Sequence, residues 1–155
     1  MAGVRIEHLT KKFGDVVAVN DLNLEVKDKE FVCLLGPSGC GKTTTLRMIG
    51  GVETPTSGEI FFDEKPVTGL PSKDRDIAMV FQFYVIYPDM KPYDQIAFPL
   101  KIRKFPKREI RKRVEEVASL LGMEYLREKT VSQLTVDERQ RIELARALVR
   151  KPQVY

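Results

Sequence analysis

One glycine-rich stretch, GPSGCGKT from Gly36 to Thr43, constrains the fold of this chain more than any other part of its sequence. It has the spacing G-x-x-x-x-G-K-[ST], and it stands between an apolar run, FVCLL, and a helical run, TTTLRMI. A strand, a glycine turn and a helix in this order point backbone N–H groups at an anion. The pattern predicts a phosphate-binding loop in an α/β fold. A glycine turn that only caps a helix explains neither Lys42 nor the spacing.

The residue types of this loop predict how it holds a nucleotide. The Lys42 ammonium is expected to reach the β- and γ-phosphates and to act in catalysis, the Thr43 hydroxyl to contact Mg²⁺, and Thr44 to bond the α-phosphate. The residues of the loop that we predict to bind ATP and Mg²⁺ are Gly36, Ser38, Gly39, Cys40, Gly41, Lys42, Thr43 and Thr44.

The composition argues against several other classes of protein. The 155 residues are 43% hydrophobic and 31% charged, as is typical of a globular domain with its own core. No apolar run reaches the roughly 18 residues of a membrane-spanning helix, and the N-terminus lacks the apolar core of a secretory signal. We therefore expect a cytosolic chain. Cys33 and Cys40 are expected to stay reduced, and the single histidine, His8, to be structural rather than part of a zinc site.

The net charge of +4 is concentrated in one basic run, KIRKFPKREIRKR, from Lys101 to Arg113. This run has two interpretations, a surface for nucleic acid or the solvated face of a helix. The second is favoured because the acidic and apolar stretch EEVASLL follows and balances the charge. No nucleic-acid partner is therefore expected.

The pattern of apolar residues divides the chain into a strand-rich half and a helical half. Strands are predicted at VRIEHL, LNLEV, FVCLL, EIFF and IAMVF. A helix is predicted at YDQIAFPLKIR, and another is opened by Pro106, with Ile110, Val114, Val117 and Leu121 on one face. A third helix is predicted from about Val136 to Arg150. The predicted divisions are 1–90, 91–150 and 151–155.

Several motifs occur in order along the chain: FVCLLGPSGCGKTTTLRMIGG, TPTSGEI, LPSKDRDIAMVFQ, YPDM and DQIAFPLK. Together they resemble the ATP-binding subunit of ABC transporters, most closely the sugar-importer branch that serves maltose-type permeases. The resemblance extends from about Val4 to Tyr155. It implies a P-loop NTPase fold of the ABC-ATPase type, with an N-terminal antiparallel β subdomain, a partial parallel RecA-like core and a helical lobe.

The resemblance also implies roles for residues outside the phosphate loop. Phe13, in KKFGD, matches the aromatic residue that stacks on adenine, with Ala18 nearby. Gln82, at the end of IAMVFQ, matches the catalytic glutamine that contacts Mg²⁺ and the attacking water. Judged by residue type alone, an aromatic between two strands is more often part of the core, and an isolated glutamine carries little information.

The family works with membrane partners, which implies a docking surface on this chain. The loop FYVIYPDM resembles the surface that receives a helix of the permease subunit, and its predicted contact residues are Tyr84, Val85, Ile86 and Tyr87. The resemblance further implies ATP and Mg²⁺ as ligands, a peripheral position on the inner face of the cell membrane, and a two-fold dimer with ATP at its interface.

The chain departs from the family at the signature L-S-G-G-Q, whose helix N-terminus contacts the γ-phosphate held by the opposite subunit. The aligned residues here are Leu134, Thr135, Val136, Asp137 and Glu138. Thr135 and Glu138 have the spacing of a capping box, which stabilises a helix. Two carboxylates repel a γ-phosphate. We therefore predict that the helix is kept and the signature function is lost, which argues against a symmetric ATP-sandwich homodimer.

A second departure is at Tyr155, where the sequence stops soon after ALVRKPQV. In the family a strand follows whose aspartate and glutamate hold Mg²⁺ and act as general base, and a switch histidine comes later. Without them we expect nucleotide binding with hydrolysis near background, and unpaired strand edges that favour association. Two other functions stay open: a truncated or engineered non-catalytic module that binds nucleotide or a partner and, less favoured, an ABC-type ATPase that acts on DNA.

Overall fold

The computed structural model describes residues 1–83 and 85–155 and divides into two compact units, which are described separately. The first unit comprises residues 1–77 together with 153–155, and the second comprises residues 78–152. The division into 1–90, 91–150 and 151–155 that the sequence suggests stays a prediction.

Four antiparallel strands form the sheet of the first unit, in the order β2-β1-β3-β4. They are β1 Val4–Phe13, β2 Val16–Val26, β3 Ser57–Phe62 and β4 Lys65–Pro66. The strands predicted at VRIEHL, LNLEV and EIFF are therefore confirmed.

The strand β1 changes the face that it buries part of the way along. Val4 and Ile6 are buried, as alternation predicts, but the next buried residue is Leu9. Between them the pairing with β2 shifts register, and His8 has a φ of 50°. On the neighbouring strand a Cβ at Gly58 would lie 2.4 Å from the His8 carbonyl oxygen. The irregularity at His8 therefore requires a glycine opposite it.

Two predicted strands are wrong. Residues 31–35, FVCLL, form no strand, and Phe31 and Leu35 are 93% and 87% exposed. Of IAMVF only Ile77 pairs, through a single parallel bridge to Val154. An extended run becomes a strand only when a neighbour takes up its backbone N–H and C=O groups. None of the four strands of the sheet pairs with either run. Apolar composition alone was therefore not sufficient to make these runs into strands.

Helix α1, Lys42–Ile49, follows the glycine-rich loop, which confirms the helical run TTTLRMI, and Gly50 is its C-cap. Its C-terminal end is held by the buried side chain of Arg75. One guanidinium nitrogen, Nη1, donates to the carbonyl oxygens of Met48, at 2.7 Å, and Ile49, at 2.9 Å. A cation there satisfies the last carbonyls of the helix and complements its dipole.

The second unit is helical. Its helices are α2 Pro92–Ile102, α3 Lys107–Leu120 and α4 Val136–Leu148, with 3-10 turns at Glu124–Glu128 and Val131–Gln133. The three predicted helices are confirmed, and Ile110, Val114 and Val117 are buried as predicted. The core also contains Ile96, Leu100, Leu126 and Ile142. No helix in residues 1–83 and 85–155 is both long and apolar enough to cross a bilayer.

The basic run lies mostly on the outside of α3, where carboxylates one turn away face several of its charges. Arg111 pairs with Glu115 at 2.9 Å, and Arg113 pairs with Glu109 at 2.8 Å. Such pairs at i and i+4 are typical of a solvated helix face. The geometry favours that interpretation of the run over a nucleic-acid surface.

Candidate functional site

The glycine-rich loop leads directly into α1, and Gly41 caps the N-terminus of this helix. Gly41 has a φ of 89°, and a Cβ at this position would lie 2.5 Å from the carbonyl oxygen of Ala18 in β2. The backbone conformation and the lack of space both require glycine. The structure thus brings the predicted site residue Ala18 against the loop.

The Lys42 side chain turns back over the loop. Its Nζ donates to the carbonyl oxygens of Gly36, at 2.8 Å, and Pro37, at 2.7 Å, and lies 3.4 Å from the Cys40 Sγ. The first turn of α1 has no side-chain cap and no acidic residue. Its N–H groups are therefore left for another acceptor, and the ammonium adds a positive charge beside them. This arrangement suits an anion such as a phosphate chain.

The other predicted residues of the loop are accessible from outside. Ser38, Cys40 and Thr43 are exposed, and Thr44 is half-buried. Gln82 is also exposed, but it belongs to the second unit, whereas the loop belongs to the first. The roles of these side chains in binding nucleotide and Mg²⁺ stay predictions.

An apolar platform lies at the end of the β1–β2 hairpin. Phe13 is 49% exposed and pairs with Val16, and the exposed side chain of Val17 follows. Ala18 comes next in β2 and touches Gly41, so the platform lies beside the loop. The sequence predicted Phe13 and Ala18 but not Val16. The signal was available, because Val16 directly follows the Gly14-Asp15 turn that pairs it with Phe13.

The N-terminus of α4 is closed by its own side chains, which confirms the predicted capping box. The Glu138 N–H donates to Thr135 Oγ1 at 3.2 Å, and Glu138 Oε2 accepts from the Thr135 N–H at 2.9 Å. The carboxylate also accepts from Lys129 Nζ at 2.6 Å. The hydrogen bond from Lys129, followed by that from the Thr135 N–H, lowers the pKa of Glu138 to about 2.

Most of the predicted partner-binding residues lie on a loop that α2 and α4 hold in place. The Arg146 guanidinium donates to the Val85 carbonyl oxygen at 2.5 Å and lies over the Tyr87 ring. The Tyr87 N–H donates to Oε1 of the fully buried Gln95 at 3.1 Å. Val85 and Tyr87 are exposed, Ile86 packs against the helical core, and Tyr84 lies outside the described residues. The sequence did not predict the anchoring roles of Arg146 and Gln95. Arg146 contacts a residue 61 positions away, and Gln95 contacts the backbone of an irregular loop.

The fold and the loop define a P-loop NTPase, and comparisons with known proteins specify the class. The family model described as ABC transporter matches residues 19–155. The chain belongs to the ABC transporter family, as a member of its ATP-binding proteins. The dimeric structure of a post-hydrolysis state of the ATP-binding cassette MJ0796, bound to ADP and Pi, superimposes with a TM-score of 0.82. That match has 33% identity and covers 96% of this chain and 70% of the other.

Curated relatives are similar along the whole of this chain. The trehalose/maltose import ATP-binding protein MalK of Thermococcus litoralis is 57% identical, and the oligosaccharides import ATP-binding protein MsmX of Bacillus subtilis is 50% identical. Both matches cover 100% of this chain and 43% of the relative. The chain therefore spans less than half the length of these relatives, and the activity of the whole protein is a matter for proposal.

Proposed function

We propose that this protein binds Mg·ATP at the Gly36–Thr44 loop and serves as the ATP-binding component of an ABC-type sugar import system. In this role it would lie on the inner face of the cell membrane, in contact with permease subunits. The import proteins to which it is 57% and 50% identical support the substrate class.

The observation that carries this proposal is the open N-terminus of α1. Its first turn is free of side-chain caps and acidic residues, and the Lys42 ammonium lies over the loop that leads into it. These groups fit a triphosphate, and the exposed platform at Phe13 fits a base. In the bound state Thr43 would face the Mg²⁺, which neutralises phosphate charge.

A titration with a fluorescent ATP analogue and Mg²⁺ tests the nucleotide site. We expect saturable binding that weakens at least tenfold in Lys42→Ala, because the ammonium and the helix N-terminus act on the same phosphates. The matched control is Arg47→Ala, which removes one exposed positive charge from the last turn of the same helix. Equal losses in both variants would mean that only net charge matters, and the proposed site would be wrong.

The loop containing Val85 and Tyr87 is the proposed permease contact. Arg146 and Gln95 hold the backbone of this loop through hydrogen bonds to Val85 and Tyr87, so its exposed side chains offer a preorganised surface. Val85→Asp is expected to abolish co-purification with detergent-solubilised permease subunits of a maltose-type importer while leaving nucleotide binding intact. Val52→Asp is the control, since Val52 is similarly exposed, at 52% against 54% for Val85, and lies in the first unit. Co-purification that survives Val85→Asp would refute this surface.

A second candidate function is nucleotide binding without turnover. It is favoured by the N-terminus of α4, where Thr135 and Glu138 occupy the donors that the family signature offers to a γ-phosphate. Phosphate release measured beside the titration tests this second function. Binding with no release is the expected result, whereas Lys42-dependent release would refute it.

A further inference from the structure

The Lys11 side chain is held in an unusual place for a lysine. It is only 13% exposed, and its Nζ lies 2.6 Å from a Glu53 carboxylate oxygen and 2.7 Å from the Thr54 carbonyl oxygen. The same ammonium lies over the Phe13 ring, 4.8 Å from its centroid. Lys11 and Phe13 are two residues apart in β1, on the same face of the strand. The cation is therefore fixed between a carboxylate and an aromatic ring.

This contact has two consequences for Phe13. Lys11 lies over one face of the ring, and Phe13 is still 49% exposed, which leaves ring surface accessible to a ligand. A cation over a ring also holds that ring in one orientation, through attraction to its π electrons. A ring that is already oriented loses less side-chain entropy when a flat group stacks on it.

We propose that Lys11 is a positioning residue for the nucleobase of the bound nucleotide. It acts through Phe13 and not on the phosphates, and Glu53 and the Thr54 carbonyl hold it for this role. This inference rests on the proposed nucleotide site. It assigns to the Lys11–Glu53 pair a part in recognising the nucleoside half of the ligand, while Lys42 and the α1 N-terminus recognise the phosphate half.

Calorimetric titrations of the full chain with two ligands test this proposal. The ligands are Mg·ATP and Mg·tripolyphosphate, which carries phosphates but no base. The variants are Lys11→Met, which removes the charge and keeps most of the length, and Lys11→Arg, which keeps the cation. Lys12→Met is the matched control, because Lys12 is the adjacent lysine of β1 and is exposed.

We expect Lys11→Met to weaken ATP about three- to tenfold and to leave tripolyphosphate unchanged. Lys11→Arg and Lys12→Met should bind both ligands like the parent chain. Adding Lys11→Met to Phe13→Leu should cause no further loss, because the ring through which Lys11 acts is already gone. Unchanged tripolyphosphate binding also shows that the loop of each variant is folded.

Two results would overturn the inference while the nucleotide site stands. One is ATP affinity that does not change in Lys11→Met, and the other is an equal loss for ATP and tripolyphosphate, which would indicate a general electrostatic or structural effect. If the parent chain binds neither ligand, the proposed nucleotide site itself fails, and the role of Lys11 fails with it.

Discussion

The N-termini of α1 and α4 have the same backbone N–H groups, but side chains cap them only at α4. At α1 a glycine precedes the helix, and the first turn contains no acidic residue. At α4 Thr135 and Glu138 cap each other, Asp137 adds a second carboxylate, and Lys129 pairs with Glu138. Both helices start with N–H groups that have no acceptor within the helix backbone, and with the positive end of a dipole.

A helix N-terminus can bind an outside anion only when its own side chains leave its N–H groups free, and on that criterion the two helices differ. Capping by Thr135 and Glu138 stabilises α4 but uses the donors that an outside phosphate would need. The first turn of α1 has no such cap, so this helix lacks the stabilisation by a cap but its N–H groups stay available to an outside acceptor. The capping box at Thr135 and Glu138 is therefore in keeping with the prediction that this helix is kept and the signature function is lost.

The largest effect is expected from Gly41→Ala at the start of α1. A Cβ there would lie 2.5 Å from the Ala18 carbonyl oxygen, at a φ of 89°. We expect the free energy of unfolding to fall by about 3 kcal/mol and nucleotide binding to be lost. Gly39→Ala is the control, since its φ is 82° but its Cβ would meet nothing within 4 Å. Thermal unfolding and ATP titration of both variants check this, and equal behaviour would contradict it.

The cap of α4 predicts a dependence of stability on acid. The pKa of Glu138 is lowered from its ordinary 4.5 to about 2 in the folded chain. The unfolded state therefore takes up the proton first, and the stabilisation is present above pH 4.5 and is lost as the pH falls toward 2. Thermal unfolding between pH 6 and 2.5 should show a steeper decline for the parent chain than for Glu138→Gln. Parallel curves would exclude the cap as the cause.

A smaller loss is expected from Thr135→Ala, which removes the hydroxyl that accepts from the Glu138 N–H. The free energy of unfolding should drop by about 1 kcal/mol in urea titrations. Thr135→Ser keeps the acceptor and should retain most of the stability. If the free energy of unfolding falls as much in the serine variant as in the alanine variant, the threonine methyl group and not the cap is responsible.

The smallest effect is expected from Asp137→Asn. Its carboxylate is exposed and pairs with Arg141 at 2.8 Å, one turn along the helix. We expect a loss of about 0.3 kcal/mol in low salt that disappears at high salt, because exposed pairs are screened. A loss above roughly 1 kcal/mol that resists salt would show that Asp137 has a structural role beyond this pair.

The sequence predicted local features well and pairing poorly. The α4 cap was predictable because Thr135 and Glu138 are three residues apart, and the buried face of α3 was predictable from its period. The fold class followed from the order of the motifs, and the comparisons confirm it. The absence of a strand at 31–35 was not predictable from composition, because strand formation depends on a partner elsewhere in the chain.

The candidate site shows the same limit. The loop and Phe13 were found from motif and resemblance, but Lys11 was not, because its acceptor Thr54 is 43 residues along the chain. The register shift in β1 near His8 was missed for a similar reason. The shift depends on pairing with a neighbouring strand, so the alternation of apolar residues in VRIEHL gives no sign of it.

Backbone amide NMR of the chain, with and without Mg·tripolyphosphate, compares the two helix N-termini in one experiment. We expect the signals of Gly39, Gly41 and Lys42 to shift, while those of Val136, Asp137 and Glu138 stay in place. The N–H groups at the start of α1 have no side-chain acceptor, whereas at the start of α4 the Thr135 and Glu138 side chains already accept from them. Shifts at the start of α4, or none at the start of α1, would contradict this assignment of the phosphate site.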